Sequence, residues 1–389
     1  MSKTMIDLLK VLVGTPSQVA VNDAQKIVHQ LSRWLSHHNV SYDILGPIGR
    51  PRALVINPPR NGRDETLLLN ACLDTAPVGD LTQWKTAPFG GVEKDGWLYG
   101  RGSADSKAAV AIFSDLAATI KLGSKGRRRI SIVFDCDEHS GKFGGIKEYT
   151  ARFGFPKYCA IGYPGAHKII AGSRGFYRTT ITLRGNLGHS GSGAVPSEKA
   201  TQKLARIIDQ IETLGSKHIA SPGEFPIGPR GSITWIHTGT RTFSITASKI
   251  ECGIDIRLTP EFGPSAAKAF LDDIVANIDR DFGHEHPSNL SLANCWPAFL
   301  TPSGSLLPNL LQSSALQVLG TAPPLAVSGP SNIGNFLSLH GTEVLAGFGV
   351  EYKRIHGPDE CVKVASIKSI RDVYALAGKT FLASISSDG

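Results

Sequence analysis

The stretch LLLNACLDTAPVGD, Leu67 to Asp80, decides how this chain folds. An apolar run, Leu67 to Leu69, enters a loop that carries Cys72, Asp74 and Asp80. A short apolar run without polar alternation fits a strand buried on both faces. Its polar residues then fall at the strand end, where open α/β sheets place their ligands.

The neighbouring segments fit the same frame. Asp23 to His38 puts Ile27, Val28, Leu31, Trp34 and Leu35 on one helical face. Ser106 to Leu122 reads as a helix, with Ala108, Val110, Ile112, Phe113 and Leu116 apolar. Ile130 to Phe134 is a second buried strand, ending in DCDEHSG. Strand, loop, helix and strand in this order predict an α/β domain. From about residue 175 the texture changes: Phe176–Leu183 and Lys249–Leu258 alternate with period two, as half-buried antiparallel strands do. Helices are expected at Ser197–Leu214 and Pro264–Phe282. The pattern predicts an inserted α+β domain over 174–288, between catalytic parts 1–173 and 289–389. The α/β texture returns with a strand at Glu343–Phe348 and a closing helix at Val364–Phe381.

Composition narrows the function classes. A chain of 389 residues exceeds one ordinary core, so a large and a smaller domain are expected. No segment approaches the roughly 20 apolar residues of a membrane span, and the amino terminus reads as an amphipathic helix. Six scattered cysteines without a CxxC pair point to reduced thiols and a cytoplasmic protein. The net charge of +8 invites a nucleic-acid reading, but the only dense cluster, Lys125 to Arg129, lacks interleaved aromatics. A solvated turn fits it better.

Four polar loops follow expected strands: CLD at 72–74, GRGSADSK at 100–107, CDEHSG at 136–141 and IHGPDE at 355–360. They offer metal-binding groups in Cys72, Asp105, Glu138, His139 and His356. Each has a bland reading of equal merit alone. Asp105 caps a helix, Glu138 and His139 sit in a surface turn, and His356 is a loop histidine. Only joint placement at the ends of one sheet favours a shared site.

The block from Leu67 to Ala109 resembles the signature of the acetylornithine deacetylase, succinyl-diaminopimelate desuccinylase, aminoacylase and glutamate carboxypeptidase family. Asp74, Pro77, Trp84, Pro88, Phe89, Asp95, Gly96, Tyr99, Gly100, Arg101, Gly102, Asp105 and Lys107 match at the right spacing. DEHSG, RGNLGHSGSG, IECGIDIRL and HGPDE follow in the family's order. The resemblance implies a zinc-peptidase-like catalytic domain with a mixed sheet flanked by helices, and an inserted dimerisation (lid) domain. It also implies a homodimer and a small-molecule substrate, an N-acyl amino acid or small peptide. By resemblance Asp105 bridges two metals, Glu138 is the general base and His356 is the last-loop ligand. His189 is the trans-acting histidine that stabilises the oxyanion, and Asp74 belongs to the catalytic set. Arg257 and Asn332 are the candidate substrate-binding residues.

The departures are concentrated. Cys72 stands for a histidine ligand, His139 for the second glutamate, Tyr163 for an acidic ligand and Phe243 for a substrate-holding asparagine. One half of the implied centre becomes Cys72, Asp105 and Tyr163; the other becomes Asp105, His139 and His356. The second set is of the kind that holds catalytic zinc with a position open for water. One zinc ion is therefore expected rather than two, with Cys72 and Tyr163 as weaker ligands and another divalent ion left open. The set also suits non-haem iron, though nothing else points to oxygen chemistry. Cys72 reads as filler or weak ligand rather than nucleophile, because Asp74 beside it raises a thiol pKa. The reading is an amide hydrolase. The alternative is a relative with lost or repurposed chemistry, which the changes at Cys72, Tyr163 and Phe243 motivate.

Overall fold

The computed structural model describes residues 3–19, 21–59, 65–123, 127–193, 197–217, 225–239 and 242–384. Two compact units result: Met1–Gly172 with Leu300–Ala326 and Asn332–Gly389, and Ser173–Phe299 with Val327–Ser331.

The first unit is built on a six-stranded mixed sheet in the order Asp43–Leu45, Ala53–Ile56, Arg128–Asp135, Glu65–Cys72, Tyr158–Ile161, Glu343–Leu345. Glu65–Cys72 runs parallel to both of its neighbours, and all eight of its residues are buried. Leu67, Leu69, Ile130 and Ile132 join one cluster with apolar side chains of helices Lys3–Val13, Ala108–Thr119, Leu306–Leu319 and Val364–Ala383. Helix Gly144–Phe153 packs against strands Ala53–Ile56 and Arg128–Asp135. A strand covered in this way has no solvent face, which explains its lack of alternation.

Ala108–Thr119 is less amphipathic than its sequence suggests, since Ala109, Ala111, Ser114 and Asp115 are buried as well. Asp115 tolerates this because Arg371 of the closing helix bonds its carboxylate at 2.9 Å. Asp23 caps helix Ala24–His37, accepting from the Gln25 amide at 2.8 Å. A second, four-stranded antiparallel sheet pairs Tyr352–Lys353, Cys361–Lys363, Trp97–Tyr99 and Val92–Lys94 in that order. It sets the chain leaving Tyr99 beside the chain arriving at Cys361, so the 100–107 and 354–360 loops become neighbours.

The second unit carries an antiparallel sheet in the order Arg230–Thr238, Lys249–Leu258, Gly175–Arg184, Asn289–Trp296. Ile250, Cys252, Ile254 and Ile256 are buried with Ile207, Ile211, Leu271, Ile274 and Ile278 of helices Ala200–Glu212 and Pro264–Phe282. The boundary expected at 288 falls short of the unit's last strand, Asn289–Trp296. None of that strand's residues is buried and half are exposed, and a bulge shifts its pairing between Leu292 and Asn294, so it left no sustained period-two pattern. The helix Leu306–Leu319 was also unmarked by the sequence reading.

Of the basic cluster at Lys125 to Arg129, Lys125 and Gly126 lie outside the described residues. Arg128 is buried and bonds Glu65 at 3.0 Å, while Arg129 reaches Asn57 at 2.6 Å. These guanidiniums are engaged by the protein itself. Among the described residues no helix is long and apolar enough to cross a membrane.

Glu65 ties the starting ends of three parallel strands. It accepts from Lys157 at 2.7 Å and from Arg128 at 3.0 Å. The Lys157 bond, aided by Arg128 and opposed by burial, lowers its pKa below the ordinary 4.5. A depressed carboxyl contributes stability that is complete above that ordinary value and is lost as pH falls through the lowered native one. Glu65→Gln should cost about 2 kcal/mol at neutral pH. Urea unfolding should show the gap from wild type closing as the pH is taken down through the acid range; a gap independent of pH refutes the assignment.

Candidate functional site

The carboxyl ends of the parallel strands deliver the chemistry. Glu65–Cys72 ends at Cys72 and leads to Asp74, Arg128–Asp135 leads to Glu138 and His139, and Tyr158–Ile161 leads to Tyr163. The 100–107 and 354–360 loops add Asp105 and His356.

Asp105 is the centre. Its Oδ1 lies 3.6 Å from the Cys72 Sγ. Its Oδ2 lies 2.9 Å from His356 Nε2 and 3.6 Å from His139 Nε2. One carboxylate thus turns an oxygen to each of two sides, a thiol on one and two imidazoles on the other. Donor atoms of Cys72, Asp105 and His139 all lie within 4.8 Å of one another.

The peptide hydrogen bonds explain why these groups hold still. Asp74 Oδ1 accepts from the Glu138 amide at 3.1 Å, and Oδ2 from the His139 amide at 2.8 Å. Asp74 Oδ2 also meets His139 Nδ1 at 3.0 Å. A carboxylate on Nδ1 fixes the tautomer and leaves Nε2 to face the site. That Nε2 is buried and has no hydrogen-bond partner among the described residues. A buried polar atom left unpaired is costly, so this geometry fits an electrophile such as a metal ion at Nε2.

Glu138 stands beside this group, with Oε1 accepting from the Tyr163 hydroxyl at 2.6 Å. Burial, reinforced by Asp105 and Asp74 and opposed by His139 and by the Tyr163 bond, pushes its pKa up to about 7. A carboxyl so tuned suits proton transfer near neutral pH. Burial and the nearby Glu138 carboxylate raise the Tyr163 phenol well above its ordinary value. It is therefore a neutral donor to Glu138, a different engagement from the ligand role expected for it.

Burial, with Asp105, Asp74 and Glu138, raises the Cys72 thiol well above its usual value. That disfavours a free thiolate nucleophile, while a bound cation would reverse the local balance. Asp105 behaves in the opposite way. Burial alone would raise it, but the His356 hydrogen bond and the nearby His139 imidazole hold its carboxyl well below the usual range. The cluster gathers three buried carboxylates, Asp74, Asp105 and Glu138, and among the described residues no lysine or arginine bonds any of them. Such a field favours a cation.

Four supporting residues, Glu360, Arg101, Ser106 and Lys107, escaped the sequence reading of roles. Glu360 is fully buried and bonds Arg101 at 2.6 Å. Its Oε1 accepts from the amides of Ala104 at 2.9 Å and Asp105 at 3.2 Å. Arg101 in turn donates to the His356 carbonyl at 2.9 Å. Ser106 accepts from the Cys72 amide at 2.9 Å. Lys107, its pKa lowered to about 7 by burial, donates to the carbonyls of Leu12 and Thr15. Arg101 and Lys107 were legible as motif matches; Glu360 sat quoted in HGPDE without a stated task.

Asn332, expected to bind substrate, is buried and caps helix Ile333–Leu339 by accepting from the Gly334 amide at 2.8 Å. His189 and Arg257 belong to the second unit. His189 is exposed in an isolated bridge with Ile245, and Arg257 bonds Asp255 at 3.0 Å.

A sequence model described as peptidase family M20/M25/M40 matches residues 68–379. Among curated proteins, the chain is 28% identical over 337 residues to a succinyl-diaminopimelate desuccinylase of Methylobacillus flagellatus, covering 83% of this chain and 86% of that one. Among solved structures, it resembles a tripeptidase of Staphylococcus aureus with a TM-score of 0.78 at 18% identity, covering 98% and 99% of the two chains. An M20 family metallo-carboxypeptidase of Sulfolobus solfataricus gives 0.77 at 17% identity, covering 97% and 99%.

Removing the Glu360 charge tests the scaffold. Glu360→Gln leaves a buried guanidinium without its counter-ion and should lower stability by about 3 to 5 kcal/mol in urea unfolding. Adding Arg101→Met should recover part of that loss. A wild-type midpoint for Glu360→Gln refutes the anchoring role.

Proposed function

This chain belongs to peptidase family M20/M25/M40, and on that premise we propose that it hydrolyses the amide bond of an N-acyl amino acid with one divalent ion, zinc by ligand chemistry. It is a hydrolase of amide bonds in acylated amino acids or peptides, and its family implies a divalent metal. The observation that carries the one-ion reading is the unpartnered His139 Nε2 facing Asp105.

Asp105 Oδ2, His139 and His356 would hold the ion, with Cys72 on the Asp105 Oδ1 side as a further donor. An ion held there supplies Lewis-acid polarisation of the amide carbonyl and a water acidified to a pKa of about 7. Glu138 then accepts the proton of the attacking water and returns it to the departing amine nitrogen. Its pKa near 7 suits both transfers, and Tyr163 holds one carboxylate oxygen so that the other does the exchange. Asp74 keeps the His139 ring oriented. Cys72 serves as a soft donor or as packing, not as a nucleophile.

For the substrate, we favour an acyl group that carries a second carboxylate. The relative named above is a succinyl-diaminopimelate desuccinylase. A guanidinium suits carboxylate recognition, and Arg257 is the residue expected to grip the substrate. Asn332 keeps a candidate part in substrate binding, and His189 in oxyanion stabilisation from a partner subunit of a homodimer. Six free cysteines fit a cytoplasmic location.

Metal content and turnover test the proposal together. Wild type should hold one ion per site of this cluster, retained in part by Cys72→Ala and lost in His139→Ala. On N-succinyl amino acids Glu138→Gln should lower kcat by about 10²- to 10⁴-fold. Full metal content in His139→Ala, or undiminished turnover in Glu138→Gln, overturns it.

A further inference from the structure

We propose that Glu198, Glu285 and His286 form a second divalent-cation site, within the second unit, that clasps the loop after helix Pro264–Phe282 onto the segment entering helix Ala200–Glu212. One donor atom of each of the three residues lies within 4.8 Å of the others. Glutamate oxygens with one imidazole nitrogen are zinc-type ligands, and three of them leave a position for water.

Glu198 supplies the observation that a charged surface cluster lacks. It is 2% exposed, and its Oε2 has no hydrogen-bond partner among the described residues. The other oxygen, Oε1, is bonded to the buried Lys203 ammonium. Oε2 faces the loop that carries the other two ligands, because a Cβ added at Gly283 would stand 3.1 Å from it. A buried carboxylate oxygen without a donor is expensive. Here it points at the segment that brings Glu285 and His286.

The other two donors converge independently. Glu285 Oε2 and His286 Nε2 each lie 3.3 Å from the Asn186 side-chain nitrogen. An amide nitrogen only donates, so both atoms accept from it here and Asn186 draws the two side chains together; a cation at Nε2 would take the place of that Asn186 contact. Asn186 is itself fixed, its carbonyl oxygen accepting from the Glu198 amide at 3.0 Å and from Ser197 at 3.2 Å.

The charge balance also asks for a cation. Lys203 bonds Glu198 and, at 3.1 Å, Asp279, and donates to the His286 carbonyl at 2.9 Å. With Glu285 added, three carboxylates stand against one ammonium. Lys203 is completely buried and committed, so it cannot swing out to serve Glu285. A divalent ion neutralises the remainder and ties Glu198 to two residues 87 and 88 positions further along the chain, constraining the unfolded chain as other long-range cross-links do.

The test uses the full chain and zinc chloride as the probe. Equilibrium dialysis of chelator-stripped wild type should retain one zinc more than His286→Ala does, and Glu285→Gln should weaken that equivalent by tenfold or more. Both side chains reach solvent, so these variants keep the fold. In a Cys72→Ala/His139→Ala background, zinc should still raise Tm, and adding His286→Ala should abolish the rise. Turnover of an N-acyl amino acid should be unchanged in Glu285→Gln and His286→Ala, which separates this site from the Asp105 cluster. Equal zinc content in wild type and both variants overturns the proposal. So does a zinc-induced Tm rise that survives His286→Ala.

Discussion

Arg101 and Glu360 are 259 residues apart in sequence and 2.6 Å apart in space, and neither reaches water. Desolvating two charges is expensive, and their attraction compensates only when the remaining donors and acceptors are also served. Here most are. The second Glu360 oxygen takes the Ala104 and Asp105 amides, and Arg101 also reaches the His356 carbonyl. Arg101 Nε lacks a hydrogen-bond partner, and the guanidinium lies over the Trp84 ring at 5.3 Å. The pair therefore fixes the backbone on both sides of the site, at Asp105 and at His356. Asp359, next in the chain, adds a third tie by accepting from the amides of Lys85 and Thr86. What looks like an active-site detail is the pin that joins two loops of the first unit.

Asp74 shows how a site absorbs substitution. A carboxylate between two amides of the 138–139 turn would hold that turn whatever residue stood at 139. With histidine there, the same oxygen also reaches Nδ1 and presents Nε2 to the cluster. No new residue was needed to orient the imidazole. Tyr163 adapts in the opposite way. It gives the cluster no negative charge, and instead steadies Glu138 with a neutral donor. Imidazole and phenol groups thus gather around the Asp105 and Glu138 carboxylates.

Buried charge recurs in the second unit with a different outcome. Lys203 is enclosed as completely as Arg101, yet its acidic partners outnumber it. The Glu360 carboxylate is completed by backbone amides, whereas the Lys203 cluster leaves a carboxylate oxygen without a donor among the described residues. Enclosed ion pairs of similar geometry thus differ in what they ask of the solvent, depending on whether peptide groups complete them.

Periodicity was enough for several elements. The apolar run before Cys72, the alternation at Lys249–Leu258 and the helix at Pro264–Phe282 are all local patterns, and burial imposes such patterns directly. Their place in loops after expected strands, with the family resemblance, suggested Asp105, Glu138, His139 and His356 as one group. The strand Asn289–Trp296 was missed because none of its residues is buried in a core; its pairing with Gly175–Arg184 is long-range. Glu360 likewise had no legible task, because Arg101 and the amides it serves lie far off in sequence. Which oxygen of Asp105 faces the thiol, which nitrogen of His139 is left unpaired, and which Glu198 oxygen lacks a donor depend on side chains meeting from distant segments. Sequence sets residue types and their order along the chain; only the folded backbone sets the distances that turn those types into ligands, donors and anchors.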